Sequence, residues 1–63
     1  LTAVEFEVFC QIGTGRSVQD IAVQRTRSAS TIESHRANIK RKLQLKSNAE
    51  LTLQAGRWVS ENR

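Results

Sequence analysis

Apolar side chains recur every three or four residues in four separate stretches, and a serine or threonine stands just ahead of each one. That spacing is helical. Proline is absent, the β-branched residues are scattered, and no run alternates with period two, so strands have no support. Thr2-Ala3-Val4-Glu5 has the form of a capping box, in which a hydroxyl and a carboxylate three residues on satisfy the first free amides of a helix. The first helix is predicted over residues 3–12, with Gly13 and Gly15 providing the backbone freedom to end it. Phe6, Val8, Phe9, Cys10 and Ile12 give it a broad apolar face, with Cys10 expected as a small buried hydrophobe.

Ser17-Val18-Gln19-Asp20 repeats the start signal in weaker form, and Val18, Ile21 and Ala22 mark the inward side of a short second helix. Ser28 caps a third helix over residues 29–43. Ser47-Asn48-Ala49-Glu50, read as a full capping box, opens a fourth to about residue 59. Only Thr26 and Arg27 lie between the second helix and the Ser28 cap, and so short a connection makes two helices meet at a sharp angle. The expected fold is all-α, a four-helix helix-turn-helix domain spanning residues 1–63.

At about 100° per residue, Ile32, Ile39 and Leu43 fall on one stripe of the third helix, which must face the core. The opposite face carries Ser30, Glu33, Ser34, Ala37, Asn38 and Arg41, with Arg36, Lys40 and Lys42 at its flanks. Short side chains in the centre allow close approach, and long cations around them hold phosphates, as on a helix that enters the DNA major groove. On the fourth helix Leu51, Ala55 and Trp58 are expected to close the core. Ala49, Thr52, Leu53 and Gly56 lie on its other side, either as a contact with a second copy or as exposed apolar groups of no consequence.

Charge sharpens this picture. Residues 1–24 set Arg16 against Glu5, Glu7 and Asp20, whereas residues 25–46 hold seven Lys and Arg against Glu33 alone. The net charge of +4 and pI of 10.3 are thus concentrated on the turn and the third helix. A local basic stretch favours docking of a polyanion. Double-stranded DNA is the expected partner; the alternative is a protein-interaction module whose basic helix grips an acidic partner or an anionic membrane surface.

Chain length limits what else the protein does. A domain of 63 residues buries only about 60% of the surface its unfolded chain exposes, which leaves little room for a catalytic cleft. There is no paired carboxylate, no nucleophile beside a base and no phosphate-cradling glycine loop, so no enzyme and no cofactor are expected. His35 has no second ligand at metal-binding spacing and reads as a boundary residue. The single cysteine suits a reducing compartment, and the cytoplasm is the expected location. The chain opens on Leu1, which reads as a domain of a longer protein.

"LTAVEFEVF" with "IGTG", then "S" and "DIA", then "STIESHRANIKRKLQLKS" and "AEL" together resemble the LuxR/FixJ/NarL-type helix-turn-helix domain, the C-terminal effector of many bacterial response regulators and quorum-sensing receptors. The resemblance covers essentially the whole chain. It implies a transcription-factor domain whose third helix reads DNA, whose fourth helix often forms a dimer contact, and which follows an N-terminal regulatory domain. Its base-reading positions fall on Glu33, Ser34 and Ala37, and Thr31 and His35 match phosphate or packing positions. Arg25 and Arg27 stand where the family usually has apolar residues, and Ser30 where it often has Lys.

Individual side chains have more than one reading. Glu33 either accepts a hydrogen bond from a cytosine amino group or pairs within its helix with Arg36. Lys40, Arg41 and Arg27 are candidates to neutralise phosphates, or are simply solvated. Arg36 is expected to lay its stem over the core and to send its head to water or DNA. Phe6, if exposed, would mark a contact with the regulatory domain.

Overall fold

The computed structural model describes residues 1–62. Four helices account for its regular structure: α1 (Ala3–Gly13), α2 (Val18–Arg25), α3 (Ala29–Leu43) and α4 (Asn48–Glu61). All four N-caps are the predicted Thr2, Ser17, Ser28 and Ser47, each side chain accepting from the amide three residues on. Thr2/Glu5 and Ser17/Asp20 are reciprocal capping boxes. The box expected at Ser47 is only half formed: Glu50 donates its N–H to Ser47 Oγ, but its carboxylate reaches one residue further back and accepts from Lys46 N–H at 2.6 Å.

The first three helices end in the same way. Arg16 N–H donates to Gln11 C=O, Arg27 N–H to Ala22 C=O and Leu45 N–H to Lys40 C=O, and in each case the preceding amide donates to the carbonyl three residues back. This is the Schellman closure, and it requires a left-handed residue at the turn. Gly15 (φ 89°), Thr26 (φ 56°) and Gln44 (φ 60°) occupy that position. Only one of the three is glycine, so glycine marked the left-handed residue in only one of the three turns. For Thr26 the conformation is costly, since its branched Cβ crowds the following carbonyl.

Gly13 does not serve as the expected helix stop; it is the last residue of α1 itself. Its role is steric. A Cβ there would lie 2.7 Å from both the Ala55 carbonyl carbon and Val59 Cγ2, and closer still to the Ala55 carbonyl oxygen. The hydrogen at this position lets the end of α1 lie directly on α4.

α1 is the hub of the fold and packs on each of the other helices, whereas α2 and α4 do not meet. The core consists of Val8, Phe9 and Ile12 from α1, Ile21 and Ala22 from α2, Ile32 and Ile39 from α3, and Leu51 and Ala55 from α4. Four expected core positions lie further out. Leu43 is 39% exposed, and Leu45, turned back by the Schellman closure, packs on the core instead. Trp58 is also 39% exposed and meets Phe6 edge-on, with ring centroids 5.8 Å apart and planes at 76°. Cys10 is half-buried at the rim, and Val18 is partly buried against the core.

Among the described residues two ion pairs tie the helices together, and both cations come from the basic stretch. Lys42 Nζ donates to Glu5 Oε1 at 2.7 Å, joining the end of α3 to the start of α1, and Arg25 pairs with Glu7 across α2 and α1. Lys42, although exposed, is therefore committed to α1 through its ammonium, a correction to its placement beside the outward face of α3. The Glu5 carboxylate is buried. Hydrogen bonds from Lys42 and from the Thr2 amide hold its pKa down to about 2 from an ordinary 4.5, against the opposing effect of burial.

Candidate nucleic-acid interface

The outward face of α3 is fixed by what its other side buries. Ile32 and Ile39, both fully buried, set the rotation of the helix, and Ser30, Glu33, Ser34, Ala37 and Arg41 are consequently exposed. Arg27, on the turn leading into the helix, is exposed as well. At the start of α3 the Ser28 Oγ accepts from Thr31 N–H, and the two hydroxyls lie 3.0 Å apart. α1, α2 and α4 each carry an acid in the first turn, whereas α3 carries none. The positive end of its macrodipole is therefore uncompensated, on the side where Arg27 and Ser30 lie.

The remaining candidates divide between two flanks. Thr31, His35 and Asn38 are half-buried and line a groove together with Thr2, Val4 and Glu5 of the α1 end, Arg25 at the end of α2 and Arg27 on the turn. Asn38 thus lies not on the open face, as its angle on the helix suggests, but beside the N-terminus of α1. On the other flank Glu33, Arg36, Ala37 and Lys40 line a notch with Asn48 of α4. Arg36 and Lys40 are half-buried there.

Arg36 runs from this notch into a second cleft bordered by Ile12, Gly15, Val18 and Thr52. Its Nε is buried and has no hydrogen-bond partner. Arg36 and Glu33, candidates for an intrahelical pair, do not bond: among the described residues the ion pairs are Glu5–Lys42 and Glu7–Arg25. After those two pairs, residues 25–46 keep Arg27, Arg36, Lys40, Arg41 and Lys46 without a carboxylate partner.

On α4, Leu51 and Ala55 face the core, while Ala49, Thr52 and Leu53 are exposed and Gly56 is half-exposed. Leu53, 65% exposed, lines a shallow apolar hollow together with Thr52, Gly56, Arg57, Ser60 and Glu61. Asn48 was not a candidate from the sequence. Within "SNAE" it reads as part of a helix start, and nothing in the periodicity of α4 indicates that this start lies against α3.

No group of three or more His, Cys, Asp or Glu suited to a metal ion occurs among the described residues. None of the helices is long and apolar enough to cross a membrane. The chain therefore presents one exposed helix face, small and polar at its centre and cationic at its edges, on a helix-turn-helix frame.

Comparison with known families agrees with this arrangement. The family model GerE, described as bacterial regulatory proteins of the luxR family, matches residues 1–55. No curated protein and no solved structure matches the chain. The match takes in all of α1, α2 and α3 and the first half of α4. The chain belongs to the luxR family of bacterial regulatory proteins, and it is a helix-turn-helix DNA-binding domain of a transcription regulator.

Proposed function

We propose that the domain is the sequence-specific effector of a bacterial transcription regulator and inserts α3 into the DNA major groove. The observation that carries this reading is the division of α3 into a face sealed by Ile32 and Ile39 and an opposite face open at Ser30, Glu33, Ser34, Ala37 and Arg41. Glu33, Ser34 and Ala37 meet base edges. The unpaired Glu33 carboxylate accepts from a cytosine amino group and so favours a G·C pair. Arg27, Arg36, Lys40 and Arg41 hold phosphates, and Thr31, Ser30 and Asn38 fix the helix against the backbone from the side of the turn.

The exposed strip of Ala49, Thr52, Leu53 and Gly56 pairs with its counterpart in a second copy, so that two α3 helices meet half-sites about one helical turn apart. Leu53 supports this role through its exposure. A regulatory domain precedes the chain in the full protein, with Phe6, 41% exposed beside Trp58, available to touch it. The protein works in the cytoplasm, where its DNA is.

Selection of duplexes from a random-sequence pool tests the reading. The expected product carries two inverted half-sites with a G·C pair at the position that Glu33 reads. Glu33→Ala relaxes the preference at that position, a loss of about 1–3 kcal/mol of discrimination, without abolishing binding. An unchanged preference removes Glu33 from the readout, and a single unrepeated site removes the dimer.

A further inference from the structure

The notch on the α4 side of α3 is lined by Ala37. Glu33, Arg36 and Lys40 of the same helix line it as well, with Asn48 from the first turn of α4. We propose, on the basis of the DNA-binding reading above, that this notch seats a backbone phosphate of the duplex. Asn48 donates its side-chain amide to a phosphate oxygen, and Lys40 and Arg36 supply the charge. On this view α4 grips DNA as well as closing the core, and Asn48 is a DNA-positioning residue.

Three features point to a phosphate in preference to a base edge. Among the described residues the notch has two cations without carboxylate partners, and one of them, Arg36, keeps its Nε buried and unbonded. Against them stands one acid, Glu33, and the nearest acid of α4, Glu50, is held by the Lys46 amide at 2.6 Å. Its donors, an ammonium, a guanidinium and an amide, suit an acceptor-only oxyanion. The small Ala37 side chain, shared with the base-reading face, leaves the notch open, and Ser34 on that face does not line it. A phosphate held there fixes the register of Glu33 on its base pair.

The test compares two variants that add the same charge to the same helix, Asn48→Asp in the notch and Gln54→Asp on an exposed position of α4 outside it. An acid in the first turn of a helix is favourable for the helix itself, so Asn48→Asp leaves the melting temperature intact or raised. Binding is measured with a duplex that the wild-type chain has itself selected. Asn48→Asp is expected to weaken binding about tenfold, through repulsion of the seated phosphate, and Gln54→Asp by less than about threefold. Lys40→Gln lowers the slope of log K against log salt by about 0.9. Equal effects of the two aspartates, or an unchanged slope for Lys40→Gln, overturn the notch and leave the DNA reading in place. A wild-type chain that selects no duplex overturns both.

Discussion

Glu5 shows how much depends on a single side chain in a domain this small. It caps α1 through the Thr2 amide and anchors the end of α3 through Lys42, while almost fully buried. A carboxylate whose folded pKa is depressed contributes stability that is fully present above its unfolded value and disappears as pH falls through the folded one. For Glu5 that window runs from the ordinary 4.5 down to about 2. Glu5→Gln is expected to lower stability at neutral pH and to flatten the loss of stability across this window. Urea denaturation of both proteins at several pH values checks it; parallel curves would remove Glu5–Lys42 as an acid-sensitive tie. None of this was legible in the sequence beyond the capping box. The pair joins residues 37 positions apart, and helical periodicity is silent on which side chains meet across helices. Lys42 looked available to DNA for the same reason.

At the scale of the elements, sequence signals located the helices closely. Thr2, Ser17, Ser28 and Ser47 fixed all four starts, because a side-chain acceptor for the first free amides is a local requirement that local residues satisfy. α3 has its predicted bounds, whereas α1 extends through Gly13 and α4 to Glu61. Helix ends were less legible because Thr26 and Gln44 take the left-handed turn without being glycine. The role of Gly13 was hidden as well, since it depends on where α4 lies. Gly13→Ala is expected to destabilise the domain by about 1–3 kcal/mol, because the added methyl meets backbone at Ala55 and not a flexible side chain. That is a large share of the roughly 3–5 kcal/mol a core of this size supplies. Thermal melts should show it, and a melting point equal to wild type would mean that α1 and α4 separate freely at this contact.

For the whole molecule, the folded arrangement keeps some charges at home and releases others. Arg25 and Lys42 hold the helices together, and Arg27, Arg36, Lys40 and Arg41 are left on or beside the outward face of α3. Their concentration on one element was visible from charge counts alone. The separation between structural and free cations was not, since it depends on Glu5 and Glu7 facing α3 and α2. The placement of Asn48 beside Ala37 and Lys40 was equally beyond reach, being a consequence of the α3–α4 turn. If the four free cations each neutralise one phosphate, log K falls with log salt at a slope of about −3.6 per domain.

The most direct test follows backbone amide resonances of the chain during titration with a selected duplex. Insertion of α3 predicts the largest shifts from Glu33 through Arg41, with a further set at Asn48 and at Arg27 on the turn, and little movement at Val8, Ile21 or Leu51 in the core. Shifts that spare residues 33–41 and gather elsewhere would contradict the assignment of α3 as the DNA-reading helix.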